Sequence, residues 1–198
     1  MVGIKKVCVL VDWHNVERVV IETHSVSPQR YIPQAILRIQ DEVSALLTKR
    51  DSTVRYRALL RVYHGWHCRD QPTPLRVQFE KVFSQKDFSR TIGRVSFASE
   101  IRFGNELACD TNRNPLYDTN RSQGQKMVDT AISCDLLYLL RNNIASIGII
   151  VSDDDDFVPA AFTAEAWGLE AVLLRSPERT FEEVSKAPAG DLLCHWRQ

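Results

Sequence analysis

The chain has 198 residues, of which 44% are hydrophobic and 25% are charged, as is ordinary for one globular domain that buries its own core. These fractions exclude a disordered or fibrous protein, and no apolar run reaches the roughly 18 residues of a membrane-spanning helix. The formal net charge is zero, but residues 49–126 hold 15 of the 25 Lys and Arg and 8 of the 25 Asp and Glu, so a basic middle offsets an acidic remainder.

The predicted elements alternate between strands and helices. Buried or alternating apolar runs predict strands, and apolar residues at helical spacing predict helices. In chain order these are a strand ending at Asp12, a helix over Pro33–Lys49, a strand over Thr53–Tyr63, a helix over Leu75–Phe88, a strand over Arg94–Phe103, a helix over Val128–Arg141, a strand over Ile147–Val151, a helix ending at Trp167 and a strand over Leu169–Arg175.

This alternation predicts an α/β fold, a three-layer αβα sandwich around a mainly parallel central sheet. We expect a single domain over residues 1–198, with residues 181–198 as a peripheral C-terminal helix or tail. The segment 104–124, rich in Asn, Asp and Arg, is the least regular and is predicted to be a loop.

The N-terminus and the cysteines bear on the compartment. No secretory cleavage pattern follows Lys5 and Lys6, and the five cysteines include no CxxC spacing. We therefore expect a cytoplasmic protein with reduced thiols and no membrane association. His64 and His67 lie beside Cys68, but no second pair of ligands accompanies them, which favours a structural role over a metal site.

Carboxylates gather at three predicted strand ends or helix starts. Asp12 and Asn15 follow the first strand, Asp129 and Asp135 lie on one helix, and Asp153–Asp156 follow the strand Ile147–Val151. Right-handed crossovers bring the carboxyl ends of parallel strands to one edge, so these groups are predicted to converge. Oxygen ligands of this kind suit Mg²⁺ or Mn²⁺, which activate water for attack on a phosphodiester.

Helical geometry separates the roles of two of these carboxylates. Asp129 and Asp135 are six residues apart, which on a helix is about 9 Å of rise and about 120° of rotation. We therefore predict that Asp129 binds the metal directly, and that Asp135 is an outer ligand or lies behind the ligands. Lys126 is predicted either to contact a phosphate or to hold Asp129 in place, and a solvated lysine is an equal alternative.

In this order and at these intervals, VLVDWHN, KMVDTAISCD and IIVSDDDDFVPAAF resemble the three signature segments of the NYN domain, a LabA-like branch of the PIN-like metal-dependent ribonuclease superfamily. The matching residues are Asp12, Asn15, Lys126, Val128, Asp129, Asp135, Ser152, Asp154, Asp156 and Phe157. The chain departs from the family pattern at Asp153, where a small or polar residue is usual, at Asp155, often serine, and at the bulky Trp13 and His14.

The resemblance implies a PIN-like, Rossmann-like topology and a ribonuclease, with endonucleolytic cleavage expected. Its metal ligands would be Asp12, Asp129 and Asp154, with Asn15 and Asp156 completing the catalytic group. Ser152 and the basic residues Arg55, Arg57 and Arg61 are predicted substrate contacts, and Tyr63 or Trp66 a stacking surface for a base. The resemblance also leaves open a homodimer and a protein partner that directs the chain to its RNA.

Two alternatives to this reading stay open. A run of aspartates is most often a solvated loop, and a chain that keeps the fold and the acids can be a non-catalytic module for RNA binding or protein interaction. Other classes are disfavoured. An EF-hand loop conflicts with Val158 and Pro159, a haloacid-dehalogenase-type phosphatase with Trp13 after Asp12, and neither a Gly-rich phosphate loop nor a Ser-His-Asp elbow is present.

Overall fold

A computed structural model describes residues 3–21, 27–68, 71–104, 127–175 and 193–195. In chain order its elements are β1 (Ile4–Asp12), α1 (Trp13–Ile21), α2 (Pro28–Arg50), β2 (Arg55–Tyr63), β3 (His67–Cys68), β4 (Gln71–Pro72), α3 (Pro74–Gln85), β5 (Arg90–Ile92), β6 (Val95–Phe97), β7 (Arg102–Phe103), α4 (Val128–Arg141), β8 (Ile147–Val151), a 3-10 helix (Asp155–Phe157), α5 (Val158–Ala166), β9 (Glu170–Arg175) and β10 (Leu193–His195).

Eight of the described strands form one mostly parallel sheet, with seven of them in the order β10-β9-β8-β1-β2-β6-β5 and with β7 paired to β2 beyond the end of β6. In this sheet only β5 runs antiparallel to its neighbour, and β3 and β4 form a separate antiparallel pair. The chain moves from β1 to one side of the sheet through α2, and later crosses to the other side with β8. The carboxyl ends of β1 and β8 therefore flank the point where the winding reverses, which is where ligands bind in open α/β sheets.

Two hydrophobic cores separate the three layers. Along β1, Val7, Val9 and Val11 face the first core, and Cys8 and Leu10 face the second, as the two-residue period of a strand requires. Residues from α1, α2 and α3 fill the first core, and residues from α4 and α5 fill the second. The α/β sandwich with a mainly parallel sheet is thus the observed architecture.

Several predicted elements match the observed bounds. The first strand ends at Asp12, α4 covers Val128–Arg141 and β8 covers Ile147–Val151. These segments have strong apolar patterns, so their positions follow from burial alone.

Other elements differ from the prediction. α2 begins at Pro28, five residues before the predicted start, since Pro28 occupies the first turn. Gly93, with φ at 57°, turns the chain between β5 and β6, so the predicted single strand over Arg94–Phe103 is a hairpin strand followed by the separate β7. In the C-terminal segment, Leu193–His195 is a strand beside β9, and residues 181–192 and 196–198 lie outside the described residues.

Two further observations concern the chain as a whole. Within the described ranges, no helix combines the length and the hydropathy needed to cross a bilayer. Cys8 is buried on β1, Cys134 is exposed on α4, and neither forms a disulfide bond.

Candidate metal centre

Asp12 belongs both to the sheet and to the helix that follows it. It is the last residue of β1, and α1 begins at the next residue, so its side chain lies at the helix N-terminus. The backbone N–H and the side-chain amide of Asn15 both donate to the Asp12 carboxylate. Asp12 is 2% exposed, and its burial raises the pKa of the carboxyl despite these hydrogen bonds.

Ser152 joins the ends of β1 and β8. Its hydroxyl donates to Oδ2 of Asp12 at 2.8 Å and accepts from the backbone N–H of Asp154 at 3.1 Å. Ser152 is buried. The structure therefore uses this side chain to connect two of the predicted segments, which lie 140 residues apart, instead of exposing it to a substrate.

The four aspartates after β8 divide into two pairs. Asp154 caps the 3-10 helix by accepting from the backbone N–H of Asp156 at 3.0 Å. Arg175, at the end of β9, donates to the backbone carbonyl of Asp153 at 2.7 Å and to the Asp155 carboxylate at 2.6 Å. The Arg175 guanidinium is 1% exposed, so it places a buried positive charge beneath the acidic run and offsets part of the repulsion.

Asp129 approaches this edge from a third element. It lies in the first turn of α4, after Met127, which holds a left-handed backbone with φ at 66°. The pKa of Asp129 is raised by partial burial and then by the charges of Asp12, Asp154 and Asp156, and only His14 opposes the increase. The carboxylates of the three predicted segments thus lie within electrostatic reach of one another.

This donor set is suited to a hard divalent cation. It consists of carboxylate and amide oxygens, and positive charge among them would relieve the repulsion that raises the Asp129 pKa. Within the part of the chain that the structure describes, no three His, Cys, Asp or Glu side chains are grouped so as to hold a metal ion. Mg²⁺ usually keeps several water molecules when a protein binds it, so carboxylates that are not tightly grouped can hold it partly through water.

No protein-family profile, curated protein or solved structure matches this chain.

Asp135 has a different position from Asp129. Its side chain is 1% exposed and accepts a hydrogen bond of 2.6 Å from the Tyr63 hydroxyl at the end of β2. Burial of the Tyr63 hydroxyl, and then the charge of the Asp135 carboxylate, hold the pKa of Tyr63 well above its ordinary range. Asp135 therefore fastens α4 to β2, and its predicted role as an outer metal ligand stays a prediction.

The predicted substrate contacts are spread more widely. Arg55 and Arg57 are exposed near the start of β2, while Arg61 is buried, so these arginines do not gather at the acidic edge. Tyr63 and Trp66 are completely buried, so neither ring offers a free face to a base. Lys126 lies outside the described residues.

Two residues near the site were not predicted from the sequence. The exposed His14 is near enough to lower the pKa of both Asp12 and Asp129, and its ring lies 6.4 Å from that of His64. Arg175 ends an apolar strand, and a charged residue at the carboxyl end of a predicted parallel strand is the signal that would have identified it.

Proposed function

We propose that this protein is a metal-dependent ribonuclease that hydrolyses phosphodiester bonds, with endonucleolytic cleavage of RNA as the expected mode. One observation carries the proposal: at the reversal point of the sheet the Ser152 hydroxyl links Asp12 to Asp154, and Asp129 lies within electrostatic reach of Asp12, Asp154 and Asp156. The order and spacing of the NYN-like segments, and their oxygen-only side chains, support the same assignment.

In this proposal Asp12, Asp129 and Asp154 hold Mg²⁺ or Mn²⁺. When bound, such an ion supplies an activated water and offsets charge on the phosphate. Asn15 orients the Asp12 carboxylate through its side-chain amide. Ser152 bonds to both the Asp12 carboxylate and the Asp154 backbone and so fixes their relative position. Asp156 adds negative charge beside Asp129, and Arg175 sets the position of the loop that carries Asp154 and Asp156.

The test compares Asp154→Asn with Asp153→Asn, which removes the same charge from a neighbour whose hydrogen bond to Arg175 uses the backbone. Calorimetric titration with Mn²⁺ measures metal binding, and labelled single-stranded RNA with Mn²⁺ or a chelator measures cleavage. We expect the wild type to bind Mn²⁺ and to cleave RNA only with the metal. Asp154→Asn should lower cleavage by about a hundredfold, and Asp153→Asn should retain most of it.

The competing function is a non-catalytic RNA-binding or protein-interaction module. The absence of a tight three-ligand group within the described residues favours it. A wild-type protein that binds no Mn²⁺ at millimolar concentration and leaves RNA intact would contradict the nuclease proposal and support this module. Equal cleavage by wild type and Asp154→Asn would contradict the assignment of the site.

A further inference from the structure

One half of the sheet has a polar, exposed face. α4 and α5 pack over β1, β8 and β9, and α4 also contacts the carboxyl end of β2 through the hydrogen bond between Tyr63 and Asp135. Among the described residues, no helix packs on the same face over the start of β2, over β6 or over β5. A row of register partners crosses this face, from Lys6 to Arg57, Ser96 and Thr91, and all four are exposed. The opposite face of the same strands is buried against α2 and α3.

Two adjoining cavities follow this face. One, of about 700 Å³, lies at the start of β2 and near the β5–β6 turn, and the other, of about 260 Å³, lies between β2, β7 and the end of α4. Arg57 lines both cavities, and together the two are called the arginine groove. Its charged lining consists of the Glu100 carboxylate and six basic side chains, which are Lys6, Arg55, Arg57, Arg61, Arg94 and Arg102.

The narrower cavity places like charges side by side. Arg61 on β2 and Arg102 on β7 are register partners in parallel strands, where adjacent like charges are unfavourable. Arg61 is 2% exposed, while the carboxylate of Glu100, which accepts from Arg102 at 3.1 Å, is 61% exposed. A polyanion in the groove would bring phosphate oxygens to the Arg102 guanidinium, whose side chain is 42% exposed and which can bind them in a forked geometry.

The groove runs toward the acidic edge. Arg57, Arg61 and Tyr63 lie on the same face of β2, and Tyr63 is the register partner of Asp12. At about 3.3 Å per residue, Arg61 lies about 7 Å and Arg57 about 20 Å along the strand from that level. The basic lining thus ends at Arg61, and the buried Tyr63 lies between Arg61 and the level of Asp12.

We propose that this arginine groove, lined by Lys6, Arg55, Arg57, Arg61, Arg94 and Arg102, binds the phosphate backbone of single-stranded RNA and leads the strand to the acidic edge. The inference rests on the proposed function, because it takes RNA as the substrate. The small volume of the cavity nearest the edge suits one strand, and contacts from guanidinium groups to phosphates carry no base preference.

The test removes three exposed groove cations and compares them with three exposed cations on α2, α3 and the turn after α3. The groove variant is Arg55→Ala/Arg57→Ala/Arg94→Ala, and the control is Arg30→Ala/Lys81→Ala/Lys86→Ala. Fluorescence anisotropy of labelled oligouridylate measures RNA affinity over a range of NaCl concentrations, with a chelator present to prevent metal-dependent cleavage. Circular dichroism checks that each variant is folded.

The groove variant should bind the oligonucleotide about tenfold more weakly at moderate salt, and its slope of log K against log salt should be shallower by about 2, as loss of three single-strand phosphate contacts implies. The control should keep the wild-type slope. Equal slopes in the groove variant and the wild type would contradict RNA binding in the groove. A wild type that prefers duplex RNA would contradict the proposal that the groove binds a single strand. RNA binding that depends on the groove without any cleavage would keep the groove and contradict the nuclease proposal.

Discussion

Asp129 illustrates how the carboxylates of the site oppose one another. Its pKa is raised above the ordinary value of 3.8 by partial burial and by Asp12, Asp154 and Asp156. The ionised form is therefore disfavoured in the folded chain relative to the unfolded chain. As pH rises from 3.8 through the raised pKa, the unfolded state loses its proton first, and stability falls.

We predict that Asp129→Asn changes the pH dependence of unfolding of the metal-free protein. The variant lacks the titrating carboxyl. Its free energy of unfolding, relative to that of the wild type, should therefore rise as pH increases from about 3.8 to 7. The loss of a negative charge at a helix start costs about 0.3–1 kcal/mol, so the trend with pH, and not the difference at a single pH, is the measurement.

Thermal unfolding at several pH values in the presence of a chelator provides the readout. Glu165→Gln, on the exposed surface of α5, is the matched control and should show no such trend. If the difference in free energy of unfolding between Asp129→Asn and the wild type does not change with pH, the charges of Asp12, Asp154 and Asp156 do not act on Asp129.

The pairing of Arg175 with Asp155 predicts unequal effects within the acidic run. Asp155→Ala removes a charge-assisted hydrogen bond from a buried guanidinium, while Asp153→Ala leaves the backbone carbonyl contact in place. Because the Asp155 side chain is 56% exposed, we expect a loss of about 1 kcal/mol, or about 2–4 °C in Tm. Calorimetry on both variants tests this, and equal losses would contradict the Arg175 contact as the cause.

At the scale of elements, the position of α4 decides where Asp129 lies. The helix approaches β8 closely at Gly148, where an added Cβ would lie 2.3 Å from Cδ1 of Leu136. On its other side, the buried Asp135 carboxylate is hydrogen-bonded to Tyr63 of β2. α4 is thus held by close packing and by a polar contact, and both fix the helix whose first turn carries Asp129.

We therefore predict that Tyr63→Phe lowers the free energy of unfolding by about 1–3 kcal/mol, because it removes a donor from a buried carboxylate. Tyr56→Phe on the same strand is the matched control, since its hydroxyl reaches only the Asp51 carbonyl at 3.4 Å. Urea denaturation measures both. If the two substitutions cost the same, the contact between Tyr63 and Asp135 does not hold α4.

The sequence predicted elements best where one pattern dominates. Ile147–Val151 and Val128–Arg141 carry continuous or amphipathic apolar patterns, and their bounds agree with the structure. α1 was not predicted, because WHNVERVVI begins directly after a strand and its start depends on the Asp12 carboxylate, which caps the helix by accepting from the backbone N–H of Asn15. The β5–β6 hairpin depends on the turn at Gly93, and a short antiparallel edge strand leaves little signal in a sequence.

At the scale of the whole molecule, the alternation of elements was sufficient to predict the layered α/β architecture. It was also sufficient to predict that Asp12 and Asp154 would meet at one edge, which the Ser152 hydrogen bonds confirm. What the sequence did not show was the division of the four aspartates, because Arg175 reaches Asp153 and Asp155 from a strand about 20 residues away. Long-range pairing of this kind depends on register and not on local pattern.

The arrangement of charge is also a property of the whole molecule. The sequence showed that the middle of the chain is basic but not where these charges lie on the surface. Among the described residues, the carboxylates lie at one sheet edge, and the arginines lie along a sheet face that no described helix covers. A formal net charge of zero therefore conceals two poles of opposite sign.

The central position of β1 has a consequence for biosynthesis. β1 leaves the ribosome before β2 and β8, yet it lies between them in the sheet, and its terminal Asp12 bonds to a serine 140 residues later. Contacts so distant along the chain close late in folding. A nascent or prematurely terminated chain that has β1 and α1 but not β8 therefore carries an incomplete acidic edge. Any activity of that edge would have to await synthesis of β8 and of the Ser152 and Asp154 residues that follow it.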